Sequence, residues 1–147
     1  MSLEFFYGDI LAAEADTKVI TINLVGAMGA GVAKAARDNV PGLYKHYKKM
    51  YESIEPGQFI TYKHDGVLYL LVPTKLDWKA PSPRSLVIHN INRLAVLANQ
   101  YPHMGTIALP PLGCGNGGLD WEKDISLVYK AIFPYHDKRF IAVLNKG

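Results

Sequence analysis

Thr21-Ile22-Asn23-Leu24-Val25-Gly26-Ala27-Met28-Gly29-Ala30-Gly31-Val32-Ala33-Lys34 is the stretch on which the fold turns. A β-branched run (Val19, Ile20, Thr21, Ile22) stops at Asn23, and three glycines follow. The apolar period then changes. Val32, Ala35 and Ala36 share one face while Lys34 and Arg37 point away, as in an amphipathic helix. Strand, glycine turn and helix in immediate succession is the arrangement by which open α/β sheets place ligands at strand ends. Backbone N–H groups in such a turn approach a phosphate closely, and the helix N-terminus adds a favourable partial charge.

The same pattern recurs at Ala108-Leu109-Pro110-Pro111-Leu112-Gly113-Cys114-Gly115-Asn116-Gly117-Gly118-Leu119-Asp120-Trp121. Here four of the six residues from Gly113 to Gly118 are glycine. A simple turn needs one or two, so the excess points to backbone contact with a ligand. Neither turn is a dinucleotide fingerprint or a P-loop. Two such turns in one small domain suggest a cleft for a molecule with two phosphates.

Outward from these turns, periodicity and breakers predict strands over 3–7, 18–23, 58–63, 67–72, 106–109 and 139–144. The strands over 58–63 and 67–72 are joined by His64-Asp65-Gly66, a hairpin signal. Helical stretches are expected over 31–39, 43–51, 84–100 and 120–133, with Asp120 as an N-cap. Leu86, Ile91, Leu94, Ala95 and Ala98 mark the inner face of the third. Residues 73–84, with three prolines, read as a loop. The sum is one α/β domain over residues 1–147, a mixed sheet covered by helices.

The bulk numbers set the class. The 147 residues are 49% hydrophobic, enough for a real core. A formal net charge of +3 is milder than that of a dedicated nucleic-acid binder. One cysteine, Cys114, excludes an intrachain disulfide and suits a reducing cytoplasm. The start is acidic and short, unlike a signal peptide, and no apolar run approaches a membrane span. The five histidines show no metal spacing, so no metal is expected.

Several side chains stand out. Asp9, after the first strand, either caps the next turn or accepts a hydrogen bond from an exocyclic amine such as that of adenine. Asn23 either forms a turn or hydrogen-bonds a ribose hydroxyl. Lys75 follows the apolar strand end Leu70-Leu71-Val72-Pro73-Thr74 and should lie at a sheet edge beside an irregular loop. Most such lysines are solvated. One held against apolar walls loses its proton near neutral pH and becomes a nucleophile toward a sugar carbon. Lys79 is a weaker candidate of the same kind. Cys114 reads as a small residue in a glycine turn rather than a nucleophile, and Trp78 and Trp121 read as packing residues. Lys75, Lys79 and Arg84 around Trp78 could touch a nucleic acid by charge and stacking; a solvated loop explains them equally well.

Together these residues resemble a macrodomain, the ADP-ribose-binding fold, over nearly the whole chain. The Met-Gly-x-Gly of the first turn and Leu-Gly-Cys-Gly-Asn-Gly-Gly-Leu-Asp-Trp of the second resemble one branch in particular. That branch holds the terminal ADP-ribose glycohydrolases and the bacterial DarG antitoxin macrodomains. The resemblance implies a three-layer α/β/α fold around a mixed six-stranded sheet. It places Asp9 and the Ile10 backbone at adenine, Asn23 near the distal ribose, and Gly29, Gly31 and Val32 on the diphosphate. Leu112, Gly113, Cys114, Gly115, Asn116, Gly117 and Gly118 would wrap the diphosphate and distal ribose from the other side, and Asn145 would lie near the adenosine end. Thr74-Lys75 matches the position of a lysine thought to act on the anomeric carbon and displace the modified acceptor.

The function so implied is ADP-ribose binding with hydrolysis of ADP-ribosyl linkages on protein or DNA. An ADP-ribose 1″-phosphate phosphatase and a non-catalytic reader are the alternatives. ADP-ribose is ligand or product, and no cofactor is expected. A cytoplasmic monomer is expected, with a toxin partner left open. The Asn-x-x-Leu-x-Gly-Gly-Gly stretch of other hydrolytic macrodomains is absent, so their water activation is not implied. The second loop reads Asn116-Gly117-Gly118 where the eukaryotic members carry an aspartate, with Asp120 slightly later. In this the chain is closer to the bacterial form.

Overall fold

A computed structural model describes residues 2–77 and 80–144. Trp78, Lys79 and Asn145 therefore lie outside the described residues. The β-branched run forms a central strand because both of its faces are covered, the environment that suits a continuous apolar strand. This strand is β2 (Thr17–Asn23), one of six: β1 (Leu3–Tyr7), β3 (Ile60–His64), β4 (Val67–Lys75), β5 (Ile107–Leu109) and β6 (Phe140–Leu144). The sheet order is β1-β6-β5-β2-β4-β3. All neighbours are parallel except β3 and β4, which form the expected hairpin with left-handed backbone at Asp65 and Gly66.

Successive residues on a strand face opposite sides, and the core divides accordingly. Val19, Leu70 and Val72 point to the face covered by α3 (Arg84–Gln100) and α4 (Ser126–Ile132). Ile20, Ile22 and Leu71 point to the face covered by α1 (Gly31–Asn39) and α2 (Leu43–Met50). The result is the expected three-layer α/β/α architecture. Helix α3 buries Val87, Ile91, Leu94 and Ala98, so its first inward residue is Val87 rather than Leu86. The fourth helical stretch opens with a π-turn over Trp121–Ile125, and Asp120 caps it by accepting from the Lys123 N–H at 2.7 Å.

Two features of the sheet set up the site. The glycine turns leave β2 and β5, which are neighbours, and the chain crosses over β2 to reach β5. The crevice at such a switch point is where α/β sheets take ligands. The second feature is the end of β4. This strand runs to Lys75, three residues past the expected boundary, because Pro73 is tolerated there. Pairing with β3 stops at Leu71, so beyond it no partner requires the missing N–H. The register against β2 then slips: Ile22 faces Pro73, but Asn23 faces Lys75, leaving Thr74 as a bulge. Lys75 thus ends an inner strand, on a segment paired along one side only.

Candidate functional site

The first turn is built by side chains. Asn23 Nδ2 donates to the Ala27 carbonyl at 2.7 Å, and its Oδ1 accepts from the N–H groups of Val25 and Ala27 at 3.2 and 3.3 Å. The turn-forming role weighed for Asn23 is thus present in full. Beneath it lies Tyr47, fully buried at an inward position of α2. Its hydroxyl sits 2.8 Å from both Asn23 O and Oδ1, to one of which it donates, and accepts from the Gly26 N–H at 3.1 Å. Burial pushes the Tyr47 phenol up to about 12, so it keeps its proton and works as a donor. Met28 is buried in the same cluster and anchors the turn from within.

Past Met28 the backbone opens. Gly29 has no heavy atom within 4 Å of where a Cβ would stand. Ala30 is the N-cap of α1 and offers no side-chain cap, so the first N–H groups of the helix, at Gly31 and Val32, lack the usual partner. Both residues line a cleft of about 280 Å³ that also takes in Asp9, Ile10, Ala35, Pro110 and Val143. An uncapped helix end facing a cleft has the chemistry to accept an anion.

At the far side of that cleft Asp9 caps a short 3-10 turn over Ile10–Ala12, its Oδ1 accepting from the Leu11 N–H at 3.0 Å. The capping role is therefore real, and the exposed carboxylate remains at the cleft wall. Sequence reasoning missed Lys18. It is 5% exposed, and its Nζ donates to the Leu11 carbonyl at 2.6 Å, holding the same turn from below. Burial lowers its pKa, and the Asp9 carboxylate works against that. The only sequence signal was a charged residue inside an apolar strand.

The second turn is built by backbone. Cys114 N–H donates to Pro111, Gly118 N–H to Gly115 and Leu119 N–H to Gly113, at 3.0–3.1 Å, and Gly117 N–H to Cys114 at 3.4 Å. This path forces left-handed backbone at Gly113, Gly115 and Gly118. Gly117 is covered instead by Ser82, whose Oγ would lie 2.5 Å from a Cβ there. Three of the four glycines are thus required by the turn's own dihedral angles, and Gly115 in addition has no heavy atom within 4 Å of where a Cβ would stand. Leu112 is core, and its N–H donates to the hydroxyl of fully buried Tyr129 at 2.9 Å. That hydroxyl donates in turn to Pro110 O at 2.5 Å. Asn116 reaches back to the first turn, its Nδ2 3.7 Å from where a Gly31 Cβ would stand. Burial, with the Asp120 and Asp124 carboxylates nearby, pushes the Cys114 thiol up to about 12, which suits a packing residue and not a nucleophile.

Lys75 stands in register with Asn23 and outside the lining of the 280 Å³ cleft, as do Asn23 itself and residues 112–118. Its strand end is held from α3 by fully buried Asn90, which donates from Nδ2 to the Pro73 carbonyl at 2.8 Å. Arg84, grouped in sequence with the loop that could meet a nucleic acid, is instead paired with both carboxylate oxygens of Asp124 at 2.8 Å. Trp121 packs edge-on against Phe5 and Tyr129, as a packing residue should. Among the described residues no three His, Cys, Asp or Glu side chains converge on a metal position, and no helix is long and apolar enough to cross a membrane.

No protein-family model matches the chain. Curated relatives do. The DNA ADP-ribosyl glycohydrolase of Mycobacterium tuberculosis is 34% identical over 121 residues, and that of Thermus aquaticus 35% over 136, covering 78% and 88% of this chain. The chain spans only 34% and 38% of their lengths. Among solved structures, the macrodomain of Thermus aquaticus DarG superposes with a TM-score of 0.86 at 28% identity, over 99% of this chain and 98% of that one. With the switch-point cleft and its two turns already in place, these likenesses make the chain a macrodomain, similar within that family to the DarG branch.

Proposed function

We propose that this domain binds ADP-ribose across the two glycine turns and removes ADP-ribosyl groups from DNA. The observation that carries the reading is the register of Asn23 with Lys75 beside the uncapped N-terminus of α1. With Asn23 leading into the first turn, this pairing supports a lysine one strand away from where the diphosphate would bind. Adenine would lie between Asp9 and Ile10. The diphosphate would meet the N–H groups of Gly29, Gly31 and Val32 on one side and the 113–118 turn on the other. The distal ribose would then lie over Asn23 and Lys75. Relatives named for DNA ADP-ribosyl glycohydrolysis support the acceptor class. A lone, half-buried cysteine fits a cytoplasmic setting.

In the step proposed, the Lys75 side-chain nitrogen attacks the anomeric carbon, and the proton it sheds on forming the new bond passes to the leaving acceptor. The bond from that carbon to the acceptor breaks, and its electrons leave with the acceptor. Water then displaces the lysine and frees ADP-ribose. Binding energy from adenosine and diphosphate positions the reacting carbon.

The test is ADP-ribose release from ADP-ribosylated single-stranded DNA and from glutamate-modified protein, wild type beside Lys75→Ala, with ADP-ribose binding followed by calorimetry. Release from DNA that Lys75→Ala loses while keeping its affinity for ADP-ribose is the expected result. Binding without release from either substrate would leave a reader. Phosphate release from ADP-ribose 1″-phosphate that survives Lys75→Ala would point to the phosphatase.

A further inference from the structure

The charge of this chain is concentrated beside the site. Residues 31–51 hold Lys34, Arg37, Lys45, Lys48 and Lys49 against one carboxylate, Asp38, an excess larger than the net +3 of the whole chain. On α1 both cations are paired, sharing one carboxylate: Asp38 lies 3.0 Å from Lys34 and 3.1 Å from Arg37. On α2 they are not. Lys45 and Lys49 are exposed and, among the described residues, neither is paired with a carboxylate. The helix dipole favours cations in the last turn, which accounts for Lys48 and Lys49. It does not account for Lys45 in the first turn, nor for the like-charge spacing of Lys45 and Lys49 at i,i+4, which costs a helix stability.

Aromatic rings run along the same helix. The Arg37 guanidinium lies 5.7 Å from the Tyr44 ring, and the Lys48 ammonium 5.6 Å from Tyr51. Tyr51 in turn abuts the first glycine turn: a Cβ on Gly26 would lie 2.9 Å from its ring. The order across the sheet gives this face its meaning. The cleft at Asp9 and Ile10 lies over β1, β6 and β5, Lys75 ends β4, and α2 lies beyond, tied to β3 by the tilted contact of the His46 and Tyr62 rings, 5.3 Å between centroids. In the binding mode proposed above, a molecule joined to the distal ribose would leave the site toward α2.

We propose that this face of α2, formed by Arg37, Tyr44, Lys45, Lys48, Lys49 and Tyr51, docks the single-stranded nucleic acid that carries the adduct. Lysines neutralise its phosphates and tyrosines offer stacking platforms, the combination by which single strands are held without sequence preference. The adduct part of this inference rests on the hydrolase reading above; the strand-binding part does not.

The experiment compares wild type with Lys45→Gln/Lys49→Gln. Fluorescence anisotropy follows an unmodified twelve-nucleotide single strand across a salt series, and kinetics follow the same strand carrying ADP-ribose and an ADP-ribosylated nucleoside. With two lysines no longer neutralising phosphates, the slope of log K against log salt should fall by about 1.4. KM for the modified strand should rise roughly tenfold with kcat within about twofold, and KM for the nucleoside adduct and affinity for ADP-ribose should not move. An unchanged slope with an unchanged KM overturns the docking face even if adducts are cleaved, leaving the hydrolase reading intact. Strand binding lost in the variant, with no adduct cleaved by either protein, upholds the docking face and sinks the hydrolase reading. A KM change confined to glutamate-modified protein overturns the nucleic-acid assignment.

Discussion

Tyr47 and Tyr129 each bury a hydroxyl beneath a glycine turn, but the two turns are held by different means. Around Tyr47 the bonds come from side chains: the Asn23 amide, the Tyr47 hydroxyl and the Lys48 ammonium on the Gly26 carbonyl at 3.3 Å. No backbone–backbone bond is made within residues 24–29. Around Tyr129 the turn bonds to itself through four backbone pairs, and Ser82 adds a fifth by donating its N–H to the Gly117 carbonyl at 2.8 Å. A turn that closes on its own backbone needs glycine for its dihedral angles. A turn propped by side chains leaves a glycine such as Gly29 free of that demand. Gly26 and Gly31 in the first turn are left-handed as well, but Gly29 is not, so backbone both open and free of any dihedral demand falls at Gly29.

Substitutions can break this contrast. The largest effect is expected at Gly113, where φ is +76° and a Cβ would lie 2.7 Å from Leu119 and from Val87. Gly113→Ala should cost about 3 kcal/mol or more by urea denaturation. Tyr129→Phe comes next. It leaves the Leu112 N–H and the Pro110 carbonyl without their partner in a fully buried place, for about 2–4 kcal/mol. Tyr47→Phe should cost less, about 1–2 kcal/mol, because Asn23 Oδ1 keeps its bonds from the Val25 and Ala27 N–H groups and the Gly26 N–H is the main group left without a partner. It should weaken ADP-ribose binding in calorimetry roughly tenfold, or about 1.4 kcal/mol. A greater stability loss in Tyr47→Phe than in Tyr129→Phe would abolish the distinction. Gly29→Ala sharpens it from the other side. Stability should stay within about 0.5 kcal/mol while affinity falls roughly tenfold, and unaltered affinity would remove Gly29 from the ligand surface. The last test is chemical and leaves the sequence unchanged. With its thiol pushed up to about 12 from 9.0, Cys114 should react with iodoacetamide at pH 8 about a thousandfold more slowly than an ordinary thiol. The rate should climb tenfold per pH unit up to pH 11; fast labelling at pH 8 would make the second turn far looser than its bonds imply.

The same contrast explains what could be read from the chain alone. The strands and helices were legible because burial writes its period into neighbouring residues: Val19 to Ile22 for β2, Ile91, Leu94 and Ala98 for α3. The ends of elements were less so. Pro73 reads as a terminator, and only the early end of β3 makes it harmless inside β4. The props of the site were nearly invisible. Tyr47 acts on Asn23, Tyr129 on Leu112 and Asn90 on Pro73, each across 17 or more residues, and Lys18 acts on a turn that its own strand does not touch in sequence. Each looks from its neighbours like an ordinary member of a helix or strand. Asp9 and Asn23 were legible as to place and as to the capping and turn-forming roles weighed for them, while their partners, the Leu11 N–H and the Ala27 carbonyl, emerged only from the structure.

The pairing of β2 with β5 extends over just two residues of each strand, Thr17 with Ile107 and Lys18 with Ala108. Above that seam the sheet is joined as two halves, β1-β6-β5 and β2-β4-β3, and the glycine turns stand on opposite banks. A molecule gripped by both turns acts as a cross-tie between the halves. Its binding should then be felt far from the turns, as slower amide exchange along the seam. Saturation at a hundred times Kd should add about 2.7 kcal/mol to the unfolding free energy of the whole domain.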